Sequence, residues 1–169
     1  MKMRISGKAV IFGDHVNTDV IIPSKYLTSL DPNELAKHAM EGIDPKFPEK
    51  AKAGVIIVAG RNFGCGSSRE QAPIALKYAG TKCIIAESFA RIFYRNAINI
   101  GLPVLEATGV SGKIEEGDML TVILNEGKIL NETKNEIIEA NRLPDFILEI
   151  IRDGGLIEHL IKIMRGDRG

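Results

Sequence analysis

Three short apolar runs, Val55–Ala59, Cys83–Ala86 and Leu102–Leu105, are separated by segments each long enough for one helix. Continuous runs of this kind are buried on both faces, which is the habit of parallel strands rather than of a half-solvated antiparallel sheet. A helix expected over Ser68–Ala79 closes at Gly80, and another over Ser88–Asn99 closes at Gly101, each glycine suited to the left-handed residue after a helix end. Strand, helix, strand, helix, strand predicts a parallel βαβαβ unit with right-handed crossovers. Upstream, Lys8–Phe12 and Val20–Ile22 read as short β-branched strands around the turn-rich residues 13–19, and Pro23 ends the second. Asp31-Pro32-Asn33-Glu34 carries a full helix start, with an Asp cap, Pro at the first position and Glu to complete a capping box; that helix is expected to reach about Met40, ahead of a loop holding Pro45 and Pro48. Downstream, strands are expected near Met119–Leu124, Lys128–Leu130 and Glu136–Ala140, as a second layer on the same core, followed by amphipathic helices over Pro144–Arg152 and Leu156–Met164 that pack on it.

Length and charge narrow the class of function. With 169 residues the chain is expected to be one domain, 1–169, around one core. Lys and Arg total 22 and Asp and Glu total 22, with no sustained basic run, so neither nucleic acid nor a membrane surface is an expected partner. No apolar run reaches the roughly 18 residues of a membrane span, and the start Met1-Lys2-Met3-Arg4 does not read as a signal peptide. A cytoplasmic protein with two reduced thiols, Cys65 and Cys83, is the expectation.

The chemistry concentrates in Gly60–Glu70, Gly-Arg-Asn-Phe-Gly-Cys-Gly-Ser-Ser-Arg-Glu. The segment follows a buried strand, holds three glycines that allow close backbone approach, and opens a helix whose free N–H groups favour an anion. Arg69 adds a fork of donors for carboxylate or phosphate. Helix capping competes with this reading, because Ser67 to Glu70 and Ser68 to Gln71 both fit a capping box. The segment is neither a P-loop nor a G-x-G-x-x-G dinucleotide loop.

Phe63–Glu70, together with Glu87–Asn96 and Asn17–Pro23, resembles the small-subunit family of 3-isopropylmalate dehydratases, the detached swivelling domain of the aconitase superfamily. The resemblance runs from about residue 6 to Gly154-Gly155-Leu156. It implies an α/β, three-layer β/β/α domain that covers an active site on a separate large subunit. It implies a [4Fe–4S] cluster on that large subunit and no cofactor on this chain. It also implies isomerisation of 2-isopropylmalate to 3-isopropylmalate by dehydration and rehydration in leucine biosynthesis. Residue by residue, Ser67 is then the catalytic base, Ser68 a substrate hydrogen-bond donor, Arg69 the partner of a substrate carboxylate, and Asp19 a residue near the substrate. Leu27 and Thr28 fall in the loop after Pro23 that resembles a specificity loop, where an arginine would suit a distal carboxylate and Thr28 offers none.

Two cysteines cannot supply the three or more thiolates such a cluster needs. Cys65 reads as a small filler of a tight loop, and Arg91 and Arg95, four apart on one helix face, as structural ion-pairing residues. Two alternatives stay open: the small subunit of homoaconitase or of a methylmalate-type dehydratase, and a non-catalytic anion-binding module.

Overall fold

The computed structural model describes residues 2–166. β1 (Arg4–Ile11), β2 (Val55–Ala59), β3 (Thr81–Ala86) and β4 (Val104–Glu106) lie parallel, joined through α4 (Gln71–Ala79) between β2 and β3 and α5 (Arg91–Asn99) between β3 and β4. The parallel unit read from the apolar runs is therefore present. On the other side of β1 the sheet continues antiparallel through β5 (Met119–Ile123), β6 (Lys128–Asn131) and β7 (Glu136–Glu139), in the order β4-β3-β2-β1-β5-β6-β7.

Alternation along the central strands builds two cores, one on each face of the parallel strands, where the sequence predicts one. Val55, Ile57, Ala59, Ile84 and Ala86 face one cluster with Ala72, Ala75 and Leu76 of α4 and Phe93, Ala97 and Ile98 of α5. Ile56, Val58, Cys83 and Ile85 face the other, packed on Leu120, Val122, Ile129 and Ile138 of the antiparallel strands. A sheet so arranged has curled until its antiparallel half covers one face of its parallel half, and the three-layer β/β/α expectation is met. The two β layers are one sheet rather than separate ones. β1 is the corner: residues 4–8 pair with β5, whereas residues 8–11 pair with β2.

Three local expectations fail, each for a local reason. Val20–Ile22 is no strand, because Thr18–Ile21 forms a helical turn, α1, in which the Asn17 side chain accepts from the Val20 amide at 2.9 Å. A cap this close overrides the β-branched preference of Val-Ile-Ile. The second helix, α2, spans only Pro32–Ala36; Asp31 caps it as expected, yet Glu34 turns to Lys37 and His38 instead of closing a capping box. Residues expected as a loop form α3 (Phe47–Ala51), whose Phe47 is fully buried and whose Pro48 sits in the first turn, where its missing N–H costs nothing. The third apolar run also pairs later than expected, from Val104.

The terminal helices α6 (Asp145–Arg152) and α7 (Leu156–Met164) break at Gly154-Gly155 as read. α6 buries Leu148 and Ile150, whereas α7 has no fully buried residue and reaches the core through half-buried Leu156, the rest of its apolar face being largely exposed. Asp153 ties the two together, with Oδ2 at 2.7 Å from Nδ1 of His159 and Oδ1 accepting from Lys162 at 2.9 Å. These partners, His159 first, hold its carboxyl below the usual carboxylate range. A carboxyl lowered by folding stabilises the fold above its unfolded value of about 3.9, and that contribution is lost as pH falls through the lowered folded value. Asp153→Asn is thus expected to flatten the acid limb of Tm against pH below about pH 4. A variant whose acid limb matches the wild type would remove this pair from the account. No helix among the described residues is long and apolar enough to cross a membrane.

Candidate active site

The glycine loop leaves the carboxyl end of β2 and is bonded on both sides. Gly64 donates to the Val16 carbonyl at 2.8 Å, and the Cys65 carbonyl accepts from the Thr18 amide at 2.8 Å. Phe63 bridges to the segment after β3, donating to Ser88 at 3.1 Å and accepting from Ala90 at 2.9 Å. Its ring is fully buried in edge contact with Phe89 and Phe93. Gly64, at φ +84°, lies so close to Phe93 that a Cβ there would overlap its ring.

This anchoring leaves Ser67 and Ser68 exposed, ahead of a helix that starts only at Gln71. Neither hydroxyl caps the helix, whose preceding residue Glu70 makes no side-chain cap bond either. The capping alternative raised by the Ser-x-x-Glu spacing is excluded. The Ser67 carbonyl instead accepts from the Thr18 hydroxyl at 2.8 Å, which fixes the loop from below. Sequence reading missed Thr18; its place between Asn17 and Asp19 in a capped turn was the available signal.

Arg69 is 14% exposed at its side chain, and its Nη1 donates to Asp19 at 3.0 Å and to the Ile22 carbonyl at 2.8 Å. A guanidinium carries five N–H donors, so Nε and Nη2 remain for a ligand. Asp19 is thereby brought to the site, holding Arg69 while its own side chain stays 68% exposed.

Gly66, Ser67, Ser68 and Arg69 form one wall of a cleft of about 290 Å³, and Ala90, Arg91, Ile92, Phe93 and Asn96 form the other. Among the described residues, the main-chain N–H groups of Gly66, Ser67 and Ser68 have no partner within the chain, nor do those of Arg91, Ile92 and Phe93 in the first turn of α5. A cleft lined with unpartnered donors and two guanidinium groups suits an anionic ligand and can stabilise negative charge developing on it. Arg91 and Arg95 correct the sequence reading: neither has an ion-pair partner among the described residues.

Leu27 and Thr28 do not line this cleft. They follow a single 3-10 turn, Ser24–Tyr26, whose Tyr26 ring stacks on His38 at 3.7 Å between centroids. The Leu27 carbonyl is 3.5 Å from the Gln71 side-chain amide, which places the loop beside the first residue of α4, two positions on from Arg69.

The thiols give no metal site. Cys83 is enclosed in the sheet, where burial pushes its thiol up to about 12. Cys65 is half-buried in the loop, and no group of three His, Cys, Asp or Glu among the described residues could hold a metal. The chain's two cysteines are fewer than the three thiolates an iron–sulfur cluster needs.

Residues 14–108, which contain the whole cleft, match the family model of the aconitase C-terminal domain. The chain is 60% identical to the 3-isopropylmalate dehydratase small subunit of Halothermothrix orenii, over 94% of this chain and 96% of the relative. The chain belongs to the 3-isopropylmalate dehydratase small-subunit family. Within that family it is also 54% identical to the isopropylmalate/citramalate isomerase small subunit of Methanocaldococcus jannaschii, over 97% of this chain and 98% of the relative. A crystal structure of 3-isopropylmalate dehydratase from Methanocaldococcus jannaschii superposes with a TM-score of 0.90 at 50% identity, covering 99% of this chain and 100% of that one. The small-subunit fold thus extends over the antiparallel half and α7, well beyond the residues the domain model matches.

Proposed function

We propose that this chain is the small subunit of a hydro-lyase that isomerises 2-isopropylmalate to 3-isopropylmalate in leucine biosynthesis, acting in the cytoplasm with a large subunit. Near full-length identity to relatives of that name carries the reading. The cleft supplies chemistry to match. Ser67 takes the proton from the carbon next to a substrate carboxylate as the hydroxyl leaves the neighbouring carbon to a Lewis acid on the large subunit, and rehydration returns the proton to the carbon that lost the hydroxyl and the hydroxyl to the carbon that lost the proton. Arg69, steadied by Asp19, holds that carboxylate with its remaining donors, and Ser68 donates to the substrate. A serine hydroxyl is a very weak acid, and the unpartnered amides of the loop with the nearby guanidinium are what favour its charged form. The [4Fe–4S] cluster, for which this chain has no ligand set, belongs in this reading to the large subunit.

Leu27 and Thr28 choose the substrate from the loop beside α4. A distal carboxylate would find no cation at Thr28, a penalty of roughly 2–5 kcal/mol for a buried charge left unpaired. An isopropyl group gains on the order of 1–3 kcal/mol from Leu27 and the Thr28 methyl. A second reading, turnover of a smaller methyl-bearing malate as well, is favoured by the relative named for both isopropylmalate and citramalate.

The deciding experiment is anaerobic reconstitution with the large subunit. The isolated chain is expected to be folded and inactive, and the complex to convert 2-isopropylmalate, with citramalate as the competing substrate and homocitrate poorly used. Thr28→Arg is expected to move the kcat/KM ratio toward homocitrate. Dehydratase activity or a cluster absorption band in the chain alone would overturn the subunit reading, and a complex inert toward all three acids would leave an anion-binding module.

A further inference from the structure

We infer that Arg91 binds the second carboxylate of a dicarboxylic substrate, across the cleft from Arg69. The inference rests on the functional reading above for the substrate class, and it goes beyond that reading by assigning a residue of the opposite wall.

Arg91 is the first residue of α5 and lines the cleft facing Gly66, Ser67 and Ser68. It is exposed and, among the described residues, has no carboxylate within ion-pair distance. The cleft wall contains two arginines and neither Asp nor Glu. Arg69 is already neutralised as a pair by Asp19 at 3.0 Å, so the cation left uncompensated is Arg91. A malate-type acid brings two carboxylates. One guanidinium already paired with an aspartate leaves little charge for two carboxylates; Arg91 on the opposite wall adds the cleft's uncompensated positive charge and a second fork of donors. Placement at the carboxyl ends of adjacent parallel strands, β2 for the glycine loop and β3 for α5, is where ligands bind in sheets of this kind. Arg95, one turn along, is absent from the lining of this cleft; it lines the neighbouring groove with Tyr94, Glu106 and Arg142, a groove that Arg91 also borders, and so serves as an internal control.

The test uses the complex of the full chain with its large subunit. Arg91→Gln is expected to raise KM for 2-isopropylmalate by roughly ten- to a hundredfold, the worth of a charge-assisted hydrogen-bonding pair, with Tm and affinity for the large subunit unchanged. Arg91→Lys should recover part of the loss, keeping the charge without the fork. Inhibition by succinate should weaken in Arg91→Gln more than inhibition by the monocarboxylate lactate, and Arg95→Gln should match the wild type throughout. An unchanged KM in Arg91→Gln overturns the inference. So does a defect confined to binding the large subunit, which would make Arg91 a docking residue for an acidic protein surface. A wild-type complex that turns over no malate-type acid overturns the functional reading and this inference together, whereas an active wild type beside an unaffected Arg91→Gln overturns the inference alone.

Discussion

Ser67→Ala is expected to lower kcat of the assembled enzyme by roughly 10²- to 10⁴-fold, the usual contribution of a positioned general base, without moving the Tm of the chain. The second half of that statement comes from the structure. Ser67 is exposed and its hydroxyl neither caps α4 nor bonds elsewhere within the described residues, and substitutions away from such features stay within about 0.5 kcal/mol. Arg69→Lys should act differently, raising KM more than it lowers kcat. Lysine keeps one charge but cannot satisfy Asp19, the Ile22 carbonyl and a carboxylate in one plane. Near-normal turnover of Ser67→Ala beside a stability loss of about 1 kcal/mol would restore the capping role that the late start of α4 excludes.

Gly64→Ala should be the most damaging single methyl in the site. Two penalties coincide there: a left-handed backbone at φ +84° and a Cβ placed inside the ring of Phe93, itself wedged against Phe63 and Phe89. Strain of about 1–2 kcal/mol from the backbone and 1–3 kcal/mol from overpacking add to roughly 2–5 kcal/mol, a large share of the stability of a small domain. Gly66 separates the two effects. It has a similar φ, +95°, but its nearest neighbour is the Thr18 hydroxyl at 3.5 Å, so Gly66→Ala should cost only the backbone penalty. Urea midpoints for the two variants test this, and equal values would show that crowding at Phe93 contributes nothing.

What the sequence discloses here follows from the range of the forces involved. β2 and β3 are readable because a strand buried on both faces must be apolar at every position, as Val55–Ala59 is. The ends of α4 and α5 are readable because Gly80 and Gly101 take a conformation few other residues accept. The starts of the same helices are misread by three residues each, at Ser68 and Ser88, because the loops are held by contacts across the sheet rather than by their own caps. Ser67, Ser68 and Arg69 could be picked out from the motif they resemble. Arg91 could not, since only the pairing of β2 beside β3 sets the two walls face to face. The curl of the sheet was hidden for the same reason, because nothing near Lys8 announces that it pairs with both Val55 and Met119.

That corner strand has a consequence for how the protein is made. Arg4 leaves the ribosome well before its sheet partner Ile123, more than a hundred residues further along the chain. At synthesis rates of roughly 5–20 residues per second, the β5 side of β1 stands open for several seconds, a row of unpaired amides able to recruit another nascent chain. β2 arrives sooner and can cover the opposite side, so the parallel half with its helices has the means to condense first. Arg4 and Lys8 bracket the waiting segment and Gly7 lies within it, charges and a weak strand former that discourage pairing with strangers while the native partner is still to come.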